Sequence, residues 1–193
     1  APSVMHYNTV LNAWAKSSQP HSVDRAVTLL RRMEGMADRF SYTSTLDAIV
    51  RSTGSLDRVE EVLQQFENNS NPACRPDIVT YNIIFNNLCR RINQEESAQG
   101  KAKLADWIES FLRRLRSSKQ FVAVAGDSLY HYYNECARAW AYTGSTESAE
   151  RTLRLLREMR ENGVRVNGNT FKNVLVALAK DKDEASVQKA REL

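Results

Sequence analysis

The sequence predicts an all-α solenoid of helix pairs stacked in series, and three observations predict it. Apolar residues recur at spacings of three and four along the chain, the period of one face of a helix. Only 7 Gly and 4 Pro stand among 193 residues, which leaves few places for tight hairpins. One helical pattern also recurs five times, each time behind a Tyr or Phe. A helix pair of roughly 30 residues cannot hide its own apolar face, so such units stack on their neighbours.

The first helix of each unit is read by placing its aromatic in register. Apolar or small residues then follow at three, four and seven positions: Tyr7, Val10, Leu11, Trp14; Tyr42, Thr45, Leu46, Ile49; and Tyr81, Ile84, Phe85, Leu88. Tyr133, Cys136, Ala137, Trp140 and Phe171, Val174, Leu175, Leu178 complete the set. Six residues after the aromatic come Ala13, Ala48, Asn87, Ala139 and Ala177, and eight after it come Ala15, Val50, Cys89, Ala141 and Ala179. These mostly small side chains allow close approach of neighbouring helices. Cys89 and Cys136 therefore read as small core residues.

A second helix follows, with Ala26, Leu29, Leu30, Met33 matching Val59, Val62, Leu63, Phe66 and Thr152, Leu155, Leu156, Met159. The segment "AWAKSSQPHSVDRAVTLLRRM" aligns without a gap to "AWAYTGSTESAERTLRLLREM", at a constant offset of 126 residues. The predicted repeats are 4–38, 39–77, 78–129, 130–167 and an incomplete 168–193, the third lengthened by insertions. The array is expected to continue beyond the residues given.

Composition bounds the function. The chain is 42% hydrophobic and 26% charged, enough to bury a core, and no apolar run approaches the roughly 18 residues that a membrane helix requires. A net charge of +4 gives weak support for an acidic partner. Cys74, Cys89 and Cys136 are odd in number and form no CxxC pair, which points to a reducing compartment rather than a disulfide framework. In that setting the Asn68, Asn69, Ser70 acceptor triplet is discounted. The chain opens with Ala1 and no export signal, so any targeting segment is expected outside it.

"IVTYNIIFNNLCRR" at 78–91, preceded by "RPD" at 75–77, resembles the opening of a pentatricopeptide repeat, and "VMHYNTVLNAWAKS" at 4–17 resembles another. The tetratricopeptide repeat is similar in length, but the Gly of its signature is missing here and Asn, Thr, Asn, Asn and Lys follow the five aromatics. The resemblance covers about four and a half units and implies a right-handed superhelical solenoid that binds single-stranded RNA, one base per unit.

The resemblance also assigns roles to residues. The base readers would be the residue after the aromatic and the last residue of the unit: Asn8 with Asp38, Thr43 with Asp77, Asn82 with Leu129, Asn134 with Asn167, and Lys172. Leu129 has no hydrogen-bonding group, so the third unit departs from the pattern. The implied site is 5′-U-G-N-Y-3′. Met5, Phe40, Val79, His131 and Asn169, two before the aromatic, would sandwich bases. Lys16, Arg51, Arg90 and Lys180, nine after it, would follow the phosphates.

Each column has a structural alternative. Asp38 and Asp77 suit N-caps, and a cation near a helix C-terminus complements the helix dipole. Capping does not account for Asn8, Asn82 and Asn134, which fall inside the first turn. Arg151, Arg154, Arg157 and Arg160 read as a solvated face with Glu147–Arg151 and Glu150–Arg154 pairs. The run "RRLRSSK" at 113–119 lacks such compensation and leads into an irregular stretch to about 128. His6, His21 and His131 lack a metal partner at helical spacing, and no phosphate loop or zinc-deaminase signature occurs.

No enzymatic role, cofactor, membrane contact or small-molecule substrate is therefore expected. The leading expectation is a sequence-selective RNA adaptor in a mitochondrial matrix or plastid stroma, where the family mostly works. The alternative is a scaffold subunit within a large organellar ribonucleoprotein such as a ribosome.

Overall fold

The structure is a computed structural model, which describes residues 2–17, 19, 21–33, 35–52, 56–117, 129–181, 186 and 188. Among the described residues there are nine α-helices and no strand. They are α1 (Val4–Lys16), α2 (Ser22–Arg32), α3 (Arg39–Arg51), α4 (Leu56–Glu67), α5 (Ile78–Gln94), α6 (Ala98–Ser117), α7 (Leu129–Ala141), α8 (Ser148–Glu161) and α9 (Gly168–Asp181). The aromatic register lands at the start of α1, α3, α5, α7 and α9, so the fold is the all-α helical repeat that the sequence predicts. The chain forms two compact units, Ala1–Leu88 and Cys89–Leu193, and α5 contributes to both.

In the first unit α1 packs on α2 and α3, and α3 packs on α2 and α4. Leu11, Ala15, Ala26, Met33 and Ala48 form one apolar cluster, with Tyr7 and Trp14 against it. The rings of Tyr42 and Phe66 stack at 4.6 Å between centroids, which fixes α3 on α4. Asn87, the odd residue in the small column, is tolerated because its amide donates to Asp47 Oδ1 at 2.8 Å and to the Ile83 carbonyl at 2.9 Å.

In the second unit α7 packs on α6, α8 and α9, and α8 packs on α9. The whole fourth stripe, Tyr133, Cys136, Ala137 and Trp140, is buried. The arginine stripe of α8 departs from the solvated face expected of it. Glu109 of α6 is 1% exposed, and it accepts from Trp140 Nε1 at 2.7 Å, Arg113, Arg151 and Arg154. Burial of a carboxylate requires such partners, so Arg154 turns to Glu109 and Glu158 rather than to Glu150. Arg151 also keeps its predicted pair with Glu147, at 3.0 Å. Arg157 and Arg160 remain exposed.

Within the basic run, Arg113 and Arg116 are likewise compensated. Arg113 bonds Glu109 at 2.5 Å, and Arg116 reaches Glu158 at 3.2 Å and Asn162 at 2.9 Å. Part of the extra length of the third repeat lies in its helices, since α5 has 17 residues and α6 has 20. The irregular stretch expected at 118–128 lies outside the described residues.

Cys89 and Cys136 are buried, as expected of small core residues, whereas Cys74 is partly exposed. Burial, with Glu135 nearby, pushes the Cys89 thiol up to about 12, and burial also raises Cys136 well above the ordinary thiol range. Both therefore stay protonated and unreactive at neutral pH. Titration of the native chain with a thiol reagent at pH 8 is expected to label Cys74 rapidly, with Cys89 and Cys136 reacting only when denaturant unfolds the chain.

Candidate nucleic-acid interface

The start of every helix leaves backbone N–H groups without intrahelical partners, and the predicted last residues of the first, second and fourth repeats meet that need. Asp38 is the N-cap of α3 and accepts from the Ser41 N–H at 2.9 Å. Asp77 accepts from the Thr80 N–H at 3.0 Å, and Asn167 from Asn169 and Thr170 N–H groups at 3.0 and 3.2 Å.

The turns before the caps explain how they are delivered. Gly163 has φ +64°, a conformation in which L side chains are strained, and it follows α8 in a Schellman arrangement: Val164 N–H donates to Met159 O at 2.8 Å and Gly163 N–H to Arg160 O at 3.2 Å. Gly35, at φ +78°, lies in the turn ahead of Asp38. In the second repeat a short 3-10 turn, Pro72–Cys74, precedes Asp77.

Capping brings these residues to their predicted partners. Asn8 Nδ2 lies 3.1 Å from both oxygens of Asp38, and Asn134 Nδ2 lies 3.4 Å from Asn167 Oδ1. The capping and pairing readings of Asp38 and Asn167 are thus compatible. Asp77 reaches Thr43 through Thr80, whose hydroxyl is 2.9 Å from Thr43 Oγ1 and 3.2 Å from Asp77 Oδ1.

The side chains two before the aromatic stand out from the surface beside these pairs. Met5, Val79 and Phe40 are 77%, 57% and 52% exposed. A cleft of about 470 Å³ lies between Met5 and Phe40, with Asn8 and Asp38 among its lining. A second, of about 620 Å³, lies between Phe40 and Val79, lined also by Thr43, Asp77 and Thr80. Phe40 is a wall of both.

Arg39, which the sequence reading did not single out, lines the second cleft. Its guanidinium donates to Asp77 Oδ2 at 2.9 Å, to the Arg75 carbonyl at 3.1 Å and to the Ala73 carbonyl at 2.9 Å. The "RPD" triplet marks the acidic partner, but a contact 38 residues away leaves no mark in the local pattern.

The remaining predicted residues are less alike. Asn82 is half-buried in the first unit, and Leu129 is half-buried in the first turn of α7 in the second. His131, Asn169 and Lys172 are exposed, and the His131 ring meets Tyr132 edge-on at 5.9 Å. Lys16, Arg51, Arg90 and Lys180 are all exposed. Arg51 lies 3.7 Å from Asp47. Lys180 donates to the Ala141 carbonyl at the end of α7, at 3.0 Å, with Tyr142 beneath it, as the helix-dipole alternative predicts. Among the described residues no group of three His, Cys, Asp or Glu is placed to hold a metal ion.

Burial acts to raise the Asp38 carboxyl, but hydrogen bonds from Ser41 and Asn8 outweigh it and hold the group below the ordinary range. Asp77 is lowered in the same way, with Thr80 and Arg39 opposing its burial. A folded pKa below the unfolded value near 3.9 means that the unfolded chain takes up the proton first. The stabilisation is then complete above about pH 4 and is lost as pH falls through the folded pKa. Asp38→Ala is expected to cost about 0.5–2 kcal/mol at pH 7, and urea unfolding at a series of pH values should show the gap closing towards pH 3.

Comparison with known proteins identifies the repeat type over part of the chain. The family model for the pentatricopeptide repeat domain matches residues 36–91 and 154–191. No curated protein matches the chain. The first stretch contains Asp38, Phe40, Thr43, Asp77 and Val79, so the walls and floor of the second cleft fall within it. The chain carries pentatricopeptide repeats over both matched stretches.

Proposed function

We propose that the chain is a sequence-selective adaptor for single-stranded RNA, seating one base per cleft. The observation that carries this reading is the pair of clefts sharing Phe40, each walled by exposed apolar side chains and floored by a predicted reader pair. Apolar walls on both faces of a base supply stacking, about 1–3 kcal/mol per base for an aromatic contact. Polar groups at the floor supply discrimination between base edges.

On the resemblance, Asn8 with Asp38 reads U, Thr43 with Asp77 reads G, and Asn134 with Asn167 reads a pyrimidine. Leu129 leaves the third base unread. The organelle is proposed on the same basis as a mitochondrion or plastid, where the adaptor would act in RNA processing, stability or translation. The third repeat, in which Leu129 has no hydrogen-bonding group and which insertions lengthen, favours a second reading, a scaffold in an organellar ribonucleoprotein such as a ribosome.

Affinity for short RNAs with and without U-G at the first two sites, titrated against salt, separates the two readings. The adaptor should prefer U-G by about 1–3 kcal/mol for each good base contact, with affinity falling as salt rises. Equal affinity for every sequence sinks the adaptor reading. Asn8→Thr is expected to move the first preference from U towards G by about 1–3 kcal/mol.

A further inference from the structure

A hydroxyl one residue before the aromatic touches the reader of the preceding repeat in three places. Ser41 Oγ is 2.7 Å from Asn8 Oδ1, Thr80 Oγ1 is 2.9 Å from Thr43 Oγ1, and Thr170 Oγ1 is 2.7 Å from Asn134 Oδ1. The residues come from different helices, α3 on α1, α5 on α3 and α9 on α7. Each hydroxyl also lies beside the cap that pairs with that reader, at 2.9, 3.2 and 3.3 Å.

Proton accounting fixes the direction of the first contact. Asp38 is an ionised acceptor, so the atom of Asn8 that faces it is the Nδ2 donor, and Oδ1 faces Ser41. Ser41 already accepts from the Asp38 N–H at 3.1 Å, and its single proton has two neighbours. If that proton went to Asp38, two oxygen acceptors would stand 2.7 Å apart with no hydrogen between them. It therefore goes to Asn8 Oδ1. The same arrangement recurs at Thr170, which accepts from the Asn167 N–H at 3.2 Å.

We propose that Ser41 and Thr170 are positioning residues that fix the donor and acceptor order of the readers Asn8 and Asn134. The proposal rests on the RNA-reading function above. An amide turned over exchanges donor for acceptor, and uracil and cytosine differ in that order at their edges. Held on one side by the cap and on the other by the hydroxyl, Asn8 keeps one Nδ2–H and one Oδ1 lone pair for a base. The cap is a carboxylate at Asn8 but a neutral amide, at the longer distance of 3.4 Å, at Asn134. Thr170 thus carries more of the orientation in its repeat than Ser41 does in the first.

The test uses the chain of 193 residues and single-stranded RNA oligonucleotides that differ at one base. Thr170→Val, which keeps the shape and removes the hydroxyl, is expected to bring the fourth-base preference close to unity. Ser41→Ala should lower the first-base preference several-fold, and less completely, because Asp38 still holds Nδ2. Ser41→Thr and Thr170→Ser retain the hydroxyl and should restore both. A cap role alone would weaken binding to all bases alike, leaving the ratios unchanged, and that result overturns the proposal. A parent chain without base preference overturns the reading on which it rests. Should a variant fail to fold, the parent itself gives the answer by nuclear magnetic resonance: one fixed side-chain rotamer at Asn8 and Asn134 supports the proposal, and averaging between orientations refutes it.

Discussion

The need to satisfy free N–H groups at helix starts underlies the geometry of the clefts. A helix can be capped by Ser, Thr, Asp or Asn, yet at 38, 77 and 167 the chain has carboxylates and an amide, which accept more than one hydrogen bond. The surplus reaches back to the first helix of the same repeat. Asp38 holds both the start of α3 and the amide of Asn8, so the contact that ends one repeat also aligns it with the helix before it. A site built on helix termini tied in this way is more precise than one carried on a loop. That precision is what recognition of a base edge demands.

Packing in the second unit follows a different rule. Most of its interior is apolar, but Glu109 enters it and draws in the Trp140 N–H and guanidinium groups from α6 and α8. Such an arrangement is weak evidence for added stability, because desolvation of the charges offsets much of their attraction. Its effect is directional. Glu109 on α6 meets Trp140 of α7 and Arg151 and Arg154 of α8 in one set of partners, which specifies how those three helices face one another.

Most of the fold was legible because its signals are local and repeated. The aromatic register places Tyr42, Tyr81 and Tyr133 near helix starts, and the spacing from Asn8 to Asp38 is kept by a helix pair of nearly constant length. The partners of Glu109 were not legible. Arg151 and Arg154 lie 42 and 45 residues from it, whereas the pairing rule applied to α8 looks only one turn away. The hydroxyl column at 41, 80 and 170 stood in the sequence too, but His6 and Tyr132 interrupt it. The sequence shows the residue types of that column and says nothing of their hydrogen bonds. Arg39 escaped for a related reason, since an arginine at a helix start carries no periodic signal.

Charge makes the two clefts of the first unit chemically unequal. In the first, both Asp38 oxygens lie near the neutral amide of Asn8, and the carboxylate also accepts from the Ser41 N–H. Its carboxylate charge faces the cleft without a cation among those partners. In the second, Arg39 sits on Asp77 Oδ2, which offsets that charge and places donor groups where the first cleft has acceptors. A base with acceptors on its edge meets favourable groups in the second cleft and less favourable ones in the first. The assignment of guanine to Thr43 and Asp77 suits this difference, because guanine N7 and O6 are both acceptors. On the proposed reading, selectivity in this pair of repeats would rest on the cation beside the reader as well as on the reader itself, since Arg39 lines the second cleft and not the first.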